Sequence, residues 1–380
     1  MRVLFLLNSL NVGGYEQLML DVFRHLRRQG HEITTVCLKK KGNLAGEFEQ
    51  SDIPVLSDFV RNRFDMLAPL RVRDALKGRE FDLIFLEMGR NALLAGEFIA
   101  SALGDPVRVS SIHGTGVPEQ GSLFRKGQKA LLNRLGGIVS CAHTQSRYLI
   151  ADEGIDPSLL KVIVNGVDHT RFAPDDKGPG PLGAEARKSI ATVASLTPEK
   201  GHLAFVEAAA IALKTVPDAR FYIIGGGPEQ ERIENEIRSR NLQESVIMLG
   251  IRRDLPALLP HFRAVALASI PFRETLPIST MEAMSCGTPT INTNVGSVPD
   301  LVEHGVTGLL VPPGDLGALG AAFTELLVDE QKAEAMGRAA RKRVEEHFTM
   351  VRALQEYEEY FFEMVSRGRG RTRGSLSSGT

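Results

Sequence analysis

Glu274 and Glu282 stand eight residues apart around Pro277. A proline suits the start of a helix and is excluded from its interior, and Gly287 with Pro289 makes a helix end. The spacing therefore predicts a helix over about 277–286. Glu274 then lies in the loop just before the helix, and Glu282 about one and a half turns inside it. A helix N-terminus carries about half a unit of positive charge on unpaired amides and is a natural seat for phosphate. A carboxylate beside that seat is placed for neutral hydroxyls next to the phosphate. One deeper in the helix can accept both hydroxyls of a ribose. Two carboxylates flanking a phosphate seat point to a sugar nucleotide. Lys200 follows a strand and a proline, in a turn closed by Gly201 that opens a helix, and there it is a point charge for a diphosphate.

Gly225 and Gly227 end a strand, but Gln230 stands where a dinucleotide-binding G-x-G-x-x-G run needs glycine, so a nicotinamide cofactor is not expected. Gly13 and Gly14 follow the first strand and open a helix, where backbone amides approach a phosphate or a reacting sugar. His113 follows the strand 107–112, at the sheet edge where open α/β folds bind ligands. No Asp-x-Asp pair is present at a metal-binding position; Asp175 and Asp176 fall in a linker. Cys37, Cys141 and Cys286 are scattered, with no histidine at ligand spacing, so reduced thiols and no metal are expected.

These segments, in order, resemble the retaining glycosyltransferases of family 4, a GT-B group. The resemblance runs over about residues 1–365. It is carried by Glu274-x7-Glu282, by EAMSCGTP, by Asn294–Asp300 and by EHGVTGLLVPPGD. Upstream, Ala194–Gly201, Ile224–Glu229, Gly13–Glu16 and Val164–Asp168 match as well. The resemblance implies two Rossmann-like doubly wound domains facing across a cleft, the first for the acceptor and the second for the nucleotide sugar. It assigns Lys200 to the leaving diphosphate and His113 to the donor sugar, and it puts the turn at Gly250–Arg252 against the base. Glu274 then orients sugar hydroxyls, and the amides of Leu276, Pro277 and Ile278 form the helix start, where Leu276 and Ile278 have an N–H to offer. Ser195 stands where the family commonly has arginine. Arg273 or Arg252 takes its place, or the donor is held more weakly. The implied reaction moves a sugar from a UDP-, GDP- or ADP-sugar to a glycan or lipid-linked acceptor, with retention and without metal or other cofactor, in cell-envelope polysaccharide or lipopolysaccharide synthesis. A sugar-nucleotide epimerase or a phosphorylase shares this architecture. A non-catalytic nucleotide-sugar-binding protein would be expected to lack Glu274, Lys200 or Glu282, and all three are present.

The elements that must position these residues follow the same plan. A chain of 380 residues, 43% hydrophobic and 24% charged, suits two domains and excludes a disordered chain. Short apolar runs such as 3–7, 83–86, 189–194 and 264–268 alternate with amphipathic stretches such as 15–28, 202–214 and 229–240. That alternation is the pattern of parallel sheets covered by helices. The Pro- and Gly-rich run 173–185 reads as a linker between an N-terminal domain, 1–172, and a C-terminal one, 186–348. The aromatic helix 349–365 is expected to pack back on the first domain, and 366–380 to be disordered.

The net charge of −1 gives no reason to expect nucleic acid. No apolar run is long enough for a membrane helix, and the apolar start stops at Asn8, so a cytoplasmic protein is expected. Residues 123–135, LFRKGQKALLNRL, mix basic and apolar side chains, which suits peripheral contact with anionic lipid at the inner face of the membrane as well as a solvated helix face.

Overall fold

The structure is a computed structural model. It describes residues 1–376 apart from 12, 63–64, 88–89, 113–128, 176–177, 179 and 272–273. The chain divides into two compact units. The described residues of 1–112, 129–164 and 352–376 form the first and those of 165–351 the second.

The first unit holds β1 (Arg2–Leu7), β2 (Glu32–Cys37), β3 (Val55–Leu56), β4 (Leu83–Glu87), β5 (Val107–Ile112), β6 (Gly137–Ser140) and β7 (Leu160–Val162). They form one sheet in the order β3-β2-β1-β4-β5-β6-β7, parallel throughout. Edge strands β3 and β7 are two and three residues long, too short to leave a periodic signal, and the sequence does not announce them.

The second unit holds β8 (Ser189–Val193), β9 (Arg220–Ile224), β10 (Val246–Gly250), β11 (Ala264–Leu267), β12 (Thr290–Thr293) and β13 (Gly308–Val311). Their order is β10-β9-β8-β11-β12-β13, again all parallel. Strands covered on both faces must be apolar on both, which is why the sequence shows continuous rather than alternating runs.

Each sheet is held by an aromatic core of its own. In the first unit Phe5 packs on Phe23 and Phe85 at centroid distances of 4.9 and 5.9 Å. The last helix, Met350–Leu376, adds fully buried Tyr357 and Phe361, the latter 5.1 Å from Phe85. In the second unit Phe205, Phe221 and Phe323 form a triad 5.3 to 6.1 Å apart.

Two boundaries differ from the sequence reading. The division falls at Asn165 rather than at residue 173. Val167 forms a bridge with Thr349, through N–H donation to Phe348 O at 2.9 Å and acceptance from Met350 N–H at 2.9 Å, and this ties the chain to the second unit early. The last helix does not stop at 365 with a disordered tail from 366 but runs to Leu376. Arginine is a good helix former, each residue added to an existing helix gains a hydrogen bond, and Arg367 pairs with Glu363 one turn back at 2.5 Å.

Candidate active site

In a doubly wound sheet ligands bind at the carboxyl ends of the strands, where the strand order reverses. In the second unit that point lies between β8 and β11. The loop after β8, residues 194–201, carries Lys200, and the loop after β11, residues 268–277, carries Glu274. Lys200 Nζ and Glu274 Oε2 are 2.7 Å apart. Ser269 Oγ donates to the same oxygen at 2.8 Å. Glu274 is only 5% exposed, so these partners, not water, satisfy its carboxylate oxygen.

The backbone around the pair is close-packed. Gly201 has φ +68°, and a Cβ there would run into the carbonyl oxygen of Ala268. Gly225 has φ +149°, and its Cβ would meet the carbonyl oxygen of Ala194. Leu196 N–H donates to Gly226 O at 3.0 Å, Glu229 N–H to Leu196 O at 2.9 Å, and Ile270 N–H to Glu199 O at 3.0 Å. The glycine turn 225–227, the lysine loop and the glutamate loop are thus one hydrogen-bonded surface. Gly227 belongs to it, with its Cα against the backbone of Leu196.

The helix predicted after Glu274 spans Ile278–Ser285, with Pro277 as its N-cap rather than its first residue. Leu276 is buried and Ile278 half-buried at the start of the helix. Glu282 is half-buried within it, and burial pushes its carboxyl up to about 7 against the opposing charge of Arg171. The far end of the helix is pinned by Arg341, which donates to the carbonyls of Ser285, His169 and Phe172 at 2.7, 2.8 and 2.9 Å.

The first unit has its own reversal point, between β1 and β4. Glu87, the last residue of β4, accepts from Asn8 N–H at 2.9 Å and from Asn8 Nδ2 at 3.4 Å. Burial raises its carboxyl above the usual range. Gly13 caps the helix Gly14–Arg28, and a Cβ on it would collide with the carboxylate of Glu16. Burial pushes Glu16 up to about 7. The helix start that the two glycines open is therefore filled by the chain's own carboxylate. Tyr15 OH and Ser111 Oγ share a hydrogen bond of 2.9 Å nearby.

Two family models together match most of the chain: glycosyltransferase family 4 over residues 12–171, and glycosyl transferases group 1 over residues 179–343. The chain belongs to the family 4 glycosyltransferases. Its fold is GT-B. It is 26% identical over 374 residues to the Escherichia coli UDP-Gal:alpha-D-GlcNAc-diphosphoundecaprenol alpha-1,3-galactosyltransferase, covering 93% of this chain and 95% of that one. It is 28% identical over 333 residues to a GDP-mannose-dependent phosphatidylinositol monomannoside mannosyltransferase of Mycolicibacterium smegmatis, covering 82% of this chain and 85% of that one. Among solved structures, Anabaena HepE in complex with UDP-glucose superposes with a TM-score of 0.84 at 25% identity, covering 96% of this chain and all of that one.

In this glycosyltransferase Ser195 is exposed on the lysine loop. Arg252, one of the two stand-ins for the missing arginine, grips Asp254 through Nε–Oδ1 at 2.8 Å and Nη2–Oδ2 at 2.5 Å. The other, Arg273, lies outside the described residues, as does His113. Of the basic stretch 123–135 only 129–135 is described; there Lys129 and Arg134 are exposed and Leu132 and Leu135 buried. Among the described residues no group of three or more His, Cys, Asp or Glu side chains is arranged to hold a metal. No described helix is long and apolar enough to cross a membrane.

Ser269, Asn8, Glu87 and Arg341 escaped the sequence reading. Ser269 and Glu87 lie where strands end, which was the available signal. Their partners come from loops far away in sequence.

Proposed function

We propose that the enzyme transfers a sugar, with retention and without a metal, from a nucleoside-diphosphate sugar to a hydroxyl of a lipid-linked or glycan acceptor. The reading rests on the Lys200–Glu274 pair at the reversal point of the second sheet, beside a glycine turn and a helix start. A diphosphate laid across Gly225–Gly227 meets Lys200 on one side and the first-turn amides of Ile278–Ser285 on the other. Glu274, anchored by Lys200 and Ser269, turns its carboxylate to the hydroxyls of the donor sugar. Glu282 takes the ribose diol.

The bond from the anomeric carbon to the β-phosphate oxygen breaks as the acceptor oxygen bonds to the same face of that carbon. Charge grows on the departing phosphate, where Lys200 and the amides stabilise it, and the phosphate oxygen takes the acceptor's proton. Glu274 orients and does not attack. UDP is the nucleotide favoured for the donor, since the E. coli relative uses UDP-Gal and HepE is seen in complex with UDP-glucose. An undecaprenyl-diphosphate-linked sugar is the favoured acceptor class, since the E. coli relative acts on alpha-D-GlcNAc-diphosphoundecaprenol. It would be met at the cytoplasmic face of a membrane.

The test is thermal stabilisation by UDP, GDP and ADP, with and without EDTA, followed by determination of the anomeric configuration of the product. At about 100 times its dissociation constant the cognate nucleotide adds about 2.7 kcal/mol. Stabilisation by one nucleotide, unaffected by EDTA, and a product of retained configuration support the reading. A folded protein that no nucleotide stabilises overturns it.

A further inference from the structure

His202 follows Gly201 directly and is the first residue of the helix His202–Leu213. It is 3% exposed, deeper than the intermediate burial usual for histidine. Its Nε2 lies 3.0 Å from the carbonyl oxygen of Ser195. A carbonyl can only accept, so Nε2 carries the proton. Nδ1 is buried with no hydrogen-bond partner. Burial lowers the pKa of the ring, opposed in part by its hydrogen bond to the Ser195 carbonyl, with a smaller lowering from the charge of Lys200.

The Ser195 carbonyl also accepts from Thr197 N–H at 2.9 Å, and Lys200 N–H in turn donates to Thr197 O at 3.1 Å. The imidazole thus braces, from inside the fold, the start of the loop whose other end presents Lys200. It also engages a carbonyl oxygen that would repel an anion if it turned towards the diphosphate. The brace matters more here because Ser195 brings no charge of its own.

We propose that His202 is a positioning residue for the diphosphate: its Nε2–H fixes the Ser195 carbonyl inward and so sets the 195–200 loop that delivers Lys200. The inference rests on the donor site described above. It asks for one thing that a buried ring filling space does not, a hydrogen-bond donor at the ε position.

Glutamine places an amide nitrogen near that position and asparagine places one short of it, at similar cost to the fold. His202→Gln and His202→Asn are therefore compared with wild type in the full chain, by calorimetric titration with UDP and with uridine. Thermal denaturation of the ligand-free proteins controls for folding. The expected result is that His202→Asn weakens UDP binding about tenfold, the loss of one hydrogen bond's net worth, while His202→Gln stays within about threefold of wild type. Uridine, which lacks the diphosphate, should bind all three alike. Equal UDP affinity in His202→Asn and wild type overturns the inference alone, as does equal loss in both variants or equal loss of uridine. If wild type binds GDP or ADP instead of UDP, the same comparison is made with that diphosphate and its nucleoside; failure to bind any of the three overturns the donor-site reading, and the inference falls with it.

Discussion

The two units place a carboxylate at the same topological point and surround it with opposite chemistry. In the second, Glu274 faces a lysine cation at 2.7 Å and a serine hydroxyl at 2.8 Å. In the first, Glu87 meets the neutral backbone and side-chain amides of Asn8, and Glu16 folds back over a helix start. Burial raises both first-unit carboxyls; at Glu87 the hydrogen bonds from Asn8 and the charge of Lys39 oppose it only in part. On the proposed reading, the same architecture serves an anionic ligand in one unit and neutral hydroxyls in the other. Position comes from the fold, and selectivity for ligand charge comes from which side chains the loops bring in.

The comparison breaks first at Lys200. Lys200→Met is expected to lower kcat/KM by about 10²- to 10³-fold, the usual loss when a cation aimed at transition-state charge is removed. It also leaves Glu274 buried without its cation and lowers the melting temperature. Lys200→Met combined with Glu274→Gln should recover the melting temperature but not the activity. Recovery of both would mean that the pair is structural.

Gly201→Ala tests the close approach of the loops. Its positive φ and the collision with Ala268 O predict a loss of about 2 kcal/mol or more in stability, with UDP binding weakened beyond what partial unfolding explains. Denaturant titration alongside UDP calorimetry separates the two effects. If the variant is as stable as wild type, the loops are not packed as described.

A smaller effect is expected from Glu282. Its folded pKa of about 7 lies above the ordinary 4.5, so between those values the folded chain holds a proton that the unfolded chain releases. That contribution to stability is fully present at pH below about 4.5 and is lost as pH rises through about 7. Glu282→Gln should therefore melt like wild type at pH 4 and higher than wild type at pH 8. Melting curves that shift equally at both pH values would show that the carboxyl is not held as the structure places it.

Glu16→Gln sharpens the comparison from the other side. Its carboxyl is also raised to about 7, so the same pH-dependent gain in melting temperature is expected, while UDP affinity should not change. A loss of UDP affinity would place the donor against the first unit's edge and erase the distinction drawn above.

Much of the second unit's site was legible because its residues carry local punctuation. Pro277, Gly287 and Pro289 mark a helix, Gly201 marks a turn, and Gly225 marks a strand end that must pass another backbone. Glu274, Glu282 and Lys200 could be placed relative to those marks. Asn8 and Glu87 could not, being 79 residues apart with no glycine or proline to announce their contact. Ser269 and His202 were invisible for a related reason. Buried serines and histidines are common, and only the partner atom tells a brace from a filler.

The sequence by itself determined the strand–helix alternation, the two-sheet plan and the identity of the charged residues at the strand ends, because periodicity and turn chemistry are local properties of the chain. Tertiary structure decided the pairings. It chose Lys200 for Glu274 across 74 residues. It filled the Gly13 helix start with Glu16 and carried the last helix on to Leu376. Charge pairing and burial depend on which loops meet in space. Solvent exclusion at that meeting raises Glu16, Glu87 and Glu282, and no spacing along the chain records it.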